Sequence, residues 1–349
     1  MTIKELATLA NVSPAAVSLV LNGKWQKKVN QKTVDRVKKL AKKHNFTLNM
    51  AGRSLVMQRN FRVAVCASSS LIDHPIMGAY GFREQLGIIS AELSKSSYSI
   101  DIVRLDEYER NITALNGRLQ SNCDGVMFLN PVGAKIKVLL KKLDFKIPYV
   151  VVDCNLKSRS LNYIYTDMSS SVENITNSLV KKGHRRIAII RGESLEERFT
   201  QKLQGYKKAL LLHKIKYSPR LVFSDYLEDS FIKGCLAAEK ILGFKNPPTA
   251  IICTDNSCGL GFISYANKNK INIPSDIELV GFGDEAISMF SSPRLSYLKR
   301  PIREMASKSV EVLLDWIDKK NSYEPLQVEF KEELVIQETA FLSGEKEIK

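Results

Sequence analysis

The chain has 349 residues, 44% of them hydrophobic and 26% charged, with a formal net charge of +15. No run approaches 18 apolar residues, which excludes a helical membrane span, and six cysteines without a CxxC pair exclude the usual zinc and disulfide frameworks. The excess charge is uneven: residues 1–60 hold 12 Lys/Arg against 2 Asp/Glu, a net +10, and the other 289 hold 40 against 35, a net +5.

Charge so concentrated points to phosphate attraction and salt-dependent binding of a nucleic acid. The predicted elements of this segment agree. Thr2-Ile3-Lys4-Glu5 is a capping box, and Ile3, Leu6, Ala7 and Ala10 form the apolar stripe of a short helix. Ser13 caps a second helix, with Pro14 at its first position, where a missing N–H costs nothing. Val17, Val20 and Leu21 supply its buried face, and Asn22-Gly23 ends it. Two short helices around a tight turn are a helix-turn-helix, a reader of double-stranded DNA. A third helix begins at Asn30, with Val34, Val37, Leu40 and Ala41 inside and lysines outside, as phosphate contacts or plain solvated surface. Asn49 caps a short helical segment running to Leu55; a lone helix of this length is marginal and forms only when held.

From about Phe61, apolar runs alternate with amphipathic stretches. Arg62–Ala67, Ser99–Val103, Asp124–Leu129, Pro148–Asp153, Arg186–Ile190, Thr249–Cys253 and Ile277–Phe282 read as strands. Met77–Leu93, Val172–Lys181, Leu203–Leu212, Ser230–Leu242 and Met305–Ile317 read as helices. The pattern predicts parallel, doubly wound sheets covered on both faces, and its length predicts two such lobes. The cysteines Cys66, Cys154 and Cys253 lie in or beside strand runs, as core thiols of a reducing, cytoplasmic protein do.

These motifs resemble the lactose-repressor/galactose-repressor family of bacterial transcriptional regulators. TIKELATLANVSPAAVSLVLNG and LNMAGRSL carry the resemblance at the start; KKGHRRIAII, TDNSCGLG and DIELVGFGDEAISMFSSPRLSYLKRP carry it further on. It implies an all-α DNA-binding head over 1–47, a hinge over 48–60, and a periplasmic-binding-protein-like core over 61–340, followed by a tail to 349. By resemblance the first lobe takes about 61–161 and 290–320, and the second about 162–289 and 321–340. The implied partners are a palindromic DNA operator, a small-molecule effector that is most often a sugar, and a second copy of the chain. Neither a cofactor nor a metal is implied.

The resemblance places Thr2, Ser13, Pro14, Ala15, Ser18, Leu19, Asn22, Asn49, Arg53 and Leu55 at the DNA. Pro14, Ala15 and Leu19 would face the major-groove floor, Ser13 and Ser18 the phosphates, and Leu55 would wedge the minor groove. Leu19 stands where the family commonly has arginine or histidine, and Gly52 where it has alanine. For the effector, the resemblance singles out Asp255 after one strand and Asp153 after another; capping the next helix is the competing role for both. Lys202 replaces the usual arginine, with Arg198 one turn earlier as a substitute. Tyr226 and His74 are further candidates.

A doubly wound fold also allows an enzyme with a fused DNA-binding head. GxGxxG after a strand, GxxxxGK[ST], GxSxG and HExxH are all absent, and Gly259-Leu260-Gly261 lacks a third glycine. After Ile336 only thirteen residues remain, without leucine heptads, so a dimer is expected and a tetramerising coil is not.

Overall fold

The structure is a computed structural model that describes residues 1–21, 25–26, 28–46, 54, 57–73, 80–108, 111–143, 147–192, 196–224, 229–283, 288–319 and 324–341. The chain divides into two compact units, Met1–Asn60 and Phe61–Lys349.

The first unit holds α1 (Ile3–Leu9), α2 (Pro14–Leu21) and α3 (Gln31–Lys43). Each start is capped as its sequence requires. The Glu5 amide donates to Thr2 Oγ1 (3.3 Å) while the Thr2 amide donates to Glu5 Oε2 (2.9 Å). The Ala16 amide donates to Ser13 Oγ (3.2 Å), and the Thr33 amide to Asn30 Oδ1 (2.8 Å). Asn11 makes the turn between α1 and α2 with a φ of 50°, a left-handed conformation that asparagine tolerates better than most residues. The three stripes close on one small core around Leu6, Val17, Val20, Val34 and Val37.

The second unit begins with β1 (Arg62–Ala67), α4 (Ser69–Ile72), α5 (Tyr80–Lys95), β2 (Ser99–Arg104), α6 (Ile112–Asn122), β3 (Gly125–Leu129), α7 (Gly133–Lys142), β4 (Tyr149–Val152) and β5 (Tyr163–Thr166). It continues with α8 (Met168–Lys181), β6 (Ile187–Ile190), α9 (Glu196–Leu212), β7 (Val222–Phe223), α10 (Ser230–Leu242), β8 (Ala250–Cys253), α11 (Asn256–Lys268), β9 (Glu278–Gly283) and β10 (Ser296–Lys299). It ends with α12 (Ile302–Lys319), β11 (Gln327–Phe330) and β12 (Glu333–Val335).

These strands form two six-stranded sheets, ordered β11-β5-β4-β3-β1-β2 and β12-β10-β9-β8-β6-β7. Pairing is parallel except for β12, which runs antiparallel to β10 with Tyr297 opposite Val335. The strands are apolar on both faces because both faces are covered. In β1, Val63 and Val65 pack with α5 and α12, while Ala64 and Cys66 pack with α6 and α7. In the second sheet, Ile187 and Ile189 face α8 and α9, and Ala188 and Ile190 face α10 and α11.

Strand pairing redraws three lobe boundaries. Tyr163–Thr166 belongs to the first sheet, because it pairs with β4, so the second lobe starts at α8 rather than at residue 162. Ser296–Lys299 pairs with β9 and belongs to the second sheet, so the return to the first lobe comes with α12 rather than at residue 290. Gln327–Phe330 pairs with β5, and only the strand after it returns to the second sheet. Short strands with few residues to show a pattern hid these crossings.

Two local solutions explain quoted sequence motifs. In Lys-Lys-Gly-His-Arg-Arg, Gly183 takes a φ of 114° and the His184 amide donates to Leu179 O (3.1 Å), closing α8 in a Schellman motif. Gly261 serves helix packing: a Cβ there would lie 2.0 Å from Phe231 O, and one at Gly234 2.0 Å from Cys258 O. The two glycines let α10 and α11 cross backbone to backbone. The six cysteines are unpaired and all but Cys235 are buried. Burial pushes the Cys123 and Cys154 thiols up to about 11 and about 12, far from nucleophilic use.

Candidate functional site

In the first unit, Ser13, Pro14 and Ala15 are exposed at the start of α2, and Ser18 and Leu19 are half-buried further along it. Capping consumes the Ser13 hydroxyl's acceptor capacity only in part, and the small side chains leave the helix end open to close approach. Thr2 is exposed but committed to its capping box. Lys32, Arg36, Lys38, Lys39, Lys42 and Lys43 are exposed on α3. Trp25 packs on the three-helix core, with Lys38 Nζ 5.8 Å from its ring centre. Asn22, Asn49, Arg53 and Leu55, and with them the expected hinge helix, lie outside the described residues.

In the second unit, two sequence candidates meet. Asp153, at the C-terminal end of β4, and Arg198, in the first turn of α9, form a buried ion pair between the lobes. Arg300, directly after β10, donates to the same carboxylate oxygen, Asp153 Oδ2. Arg198 also donates to Asn130 Oδ1 at the end of β3, and Asn130 Nδ2 donates to Gln85 Oε1 (3.1 Å). Beside them Glu197 Oε2 accepts from the Gly133 amide (2.7 Å), a second tie from α9 to the first lobe.

Only 1% of the Asp153 side chain is exposed, and burial alone would push its carboxyl up. The Arg198 and Arg300 guanidiniums overcome that and hold it well below the usual carboxylate range, so Asp153 is an anion at neutral pH. Its other oxygen, Oδ1, is buried without a hydrogen-bond partner, as is Thr166 Oγ1. Both residues line a cavity of about 20 Å³ with Glu197, Arg198 and Gln201, space for roughly one water-sized group.

Lys202 and Asp255 form a second group at the C-terminal end of β8. The Lys202 ammonium donates to Thr254 O (2.7 Å) and lies 3.7 Å from the centre of the Phe282 ring. It is 3% exposed. Asp255 Oδ1 accepts from the Cys258 amide (3.1 Å), capping α11. The competing role considered for Asp255 is therefore one that it performs. Asp153 caps no described helix. His74 and Tyr226 lie outside the described residues.

Arg300, Asn130 and Thr166 were missing from the sequence candidates. Each follows or ends an apolar strand, which is the available signal: a polar side chain where a buried strand reaches the sheet's C-terminal edge. Among the described residues, no three His, Cys, Asp or Glu side chains are grouped to hold a metal ion. No helix among them is long and apolar enough to cross a membrane.

Comparison with known proteins agrees with both units. Residues 2–49 match the family described as bacterial regulatory proteins, lacI family, and residues 176–340 match the periplasmic binding protein-like domain. The chain is 27% identical over 346 residues to the probable HTH-type transcriptional repressor ExuR of Bacillus subtilis (strain 168), covering 98% of this chain and 97% of that one. It is 26% identical over 326 residues to catabolite control protein A of Staphylococcus xylosus, covering 93% and 95%. The lac repressor dimer bound to operator and the anti-inducer ONPF has a similar fold, with a TM-score of 0.76 at 20% identity over 97% of this chain and 98% of that one. The transcriptional regulator CelR in complex with cellobiose gives a TM-score of 0.66 at 24% identity, over 97% and 100%. Residues 2–49 thus form a lacI-family DNA-binding head, and with its two doubly wound lobes and these relatives the chain is a DNA-binding transcriptional regulator.

Proposed function

We propose that this regulator is a cytoplasmic homodimeric repressor whose affinity for a palindromic operator is set by a sugar held between its two lobes. One observation carries the effector half: side chains from both lobes converge on Asp153. A ligand bound there touches both lobes at once, and differential contact with two lobe arrangements is what changes a distant affinity. Two orphaned oxygens, Asp153 Oδ1 and Thr166 Oγ1, suit the hydroxyl groups of a sugar that enters when the lobes part, since the cavity between them has space for about one water-sized group. A relative solved with cellobiose supports the same ligand class. Arg198, Lys202 and Asp255 would contribute from the second lobe, with His74 and Tyr226 from the adjoining loops.

For the DNA half, a two-fold dimer sets two copies of α2 in successive major grooves, Pro14, Ala15 and Leu19 towards the base edges and Ser13 and Ser18 towards phosphates. Thr2 and Asn22 approach the backbone from the two helix ends. Asn49, Arg53 and Leu55 act at the hinge, Leu55 as a minor-groove wedge.

A thermal-shift screen of sugars and nucleobases tests this reading, since a ligand selective for the native state stabilises it by about 2.7 kcal/mol at a hundredfold excess over Kd. The reading expects at least one sugar to raise the melting temperature and to alter operator binding. Stabilisation by nucleobases alone overturns the sugar assignment.

A further inference from the structure

The first lobe contains a second cavity, of about 680 Å³, lined by first-lobe residues; it shares Asn130 with the Asp153 network and Pro131 and Val132 with the small cavity beside it, and extends from there along α7. Its position follows from the topology. In the order β4-β3-β1-β2, the helix after β1 packs on one face of the sheet and the helices after β2 and β3 pack on the other. The strand order reverses at β1, so the helices that follow β1 and β3, α5 and α7, lie on opposite faces, and their connections part to leave a crevice outside the strands' carboxyl ends, which opens towards α6 and α7. Ser68 follows β1 there and Asn130 follows β3.

The lining is amphipathic. Leu105, Ile112, Leu115, Ile136 and Leu139 form the apolar walls, and Val138, 52% exposed, stands on the lip. The volume lies inside the roughly 300–1,000 Å³ range of small-molecule pockets. Polar groups at the strand end are engaged with one another: Ser68 Oγ with Ser70 Oγ (2.9 Å), and Asp106 Oδ2 with the Ser69 amide (2.5 Å). Tyr108 Oη accepts from Arg118 (2.8 Å). Asp106 makes that end unsuitable for an anion. Two cations, Lys135 and Lys142, border the cavity from α7. Seven residues apart, they share one helix face with about 10 Å between them along the axis, and Lys142 is the one remote from the strand end.

We infer that this crevice binds a small amphipathic acid, its aromatic or alkyl body between α6 and α7 and its carboxylate at Lys142. It is a second ligand site, of a chemical class unlike that of a neutral sugar; its apolar walls and Lys142 lie within one lobe, and Asn130 at the strand end also accepts from Arg198 of the other lobe.

Titration calorimetry of the full chain tests it with octanoate, 4-phenylbutyrate and indole-3-acetate, each paired with its uncharged amide. At least one acid should bind saturably and at least tenfold more tightly than its amide. Lys142→Glu, an exposed position, should weaken that acid at least tenfold. Ala134→Trp, which fills the crevice from its rim, should abolish binding while the melting temperature shows the fold intact. Asp255→Asn, in the other lobe, should bind the acid as the unaltered chain does. Absence of saturable binding for all three acids, equal binding of acid and amide, or binding that survives Ala134→Trp each overturns the inference.

Discussion

Arg198 of the second lobe and Asp153 of the first form an ion pair that is almost wholly buried, with 17% and 1% of their side chains exposed. Arg300 completes it from the segment that leaves β10. Charges this deep are costly to desolvate and are held only when each satisfies the other. The pair thus ties the two lobes at one point, and the ligand proposed above would have to compete with it.

Asp153→Asn leaves two guanidiniums facing a neutral amide. Breaking a buried pair by removing one partner costs about 3–5 kcal/mol, and Arg198→Met, which leaves Arg300 to pair with Asp153, should cost less. Denaturant unfolding of the core measures both. A loss below about 1 kcal/mol for Asp153→Asn, the level of an exposed pair, contradicts the assignment.

The same pair fixes a pH dependence. The unfolded Asp153 carboxyl titrates near 3.9, and the folded one lies well below because Arg198 and Arg300 outweigh its burial. A depressed folded value means that the unfolded state binds more protons as acid is added, so stability falls. The contribution is complete above the unfolded value, declines below about pH 4, and is gone only below the folded value. Stability measured from pH 5 downward should fall less steeply in Asp153→Asn than in the unaltered chain; equal slopes contradict the origin given.

The crossing of α10 and α11 predicts the opposite of helix propensity. Alanine for Gly234 or Gly261 should gain about 0.8–1 kcal/mol of propensity, yet each new Cβ would meet a backbone oxygen at 2.0 Å. Forcing the helices apart costs about 1–3 kcal/mol, so both substitutions should lower the core's melting temperature. A rise on calorimetry would mean that the crossing relaxes freely.

Much of this was legible in the sequence, and the exceptions have physical causes. Thr2, Ser13 and Asn30 announced three helices because a cap is a local interaction, satisfied within three residues. Strands such as Ala250–Cys253 were visible because burial on both faces demands an unbroken apolar run. Helices α6 and α7 went unread, since Ile112, Leu115 and Leu119 make a thin stripe; α11 was expected only as a helix for Asp255 to cap, because Gly259 and Gly261 look like a loop until α10 is packed against them. The ion pair was half visible. Asp153 and Arg198 stood out individually, but Arg300 lies 147 residues from Asp153 and joins it only through the chain's return between lobes.

Leu19 offers a test of base readout. It is half-exposed on α2 and brings an apolar side chain where the resemblance implies arginine or histidine. Leu19→Arg should shift preference towards guanine at one symmetric pair of operator positions, a discrimination of about 1–3 kcal/mol. Binding-site selection compares the two proteins, and identical preferences contradict the placement.

In the proposed function, one chain links operator binding to a ligand held across Asp153 and Arg198. An operator titration at fixed salt, with and without the sugar found by thermal shift, tests it most directly in the unaltered chain and in Arg198→Ala. The sugar should change the operator Kd of the unaltered chain by at least fivefold, the lower end of typical coupling. In Arg198→Ala, salt-dependent operator binding should survive and the sugar should no longer alter it. An operator Kd that the sugar leaves unmoved in the unaltered chain, or a response that Arg198→Ala retains in full, contradicts the account.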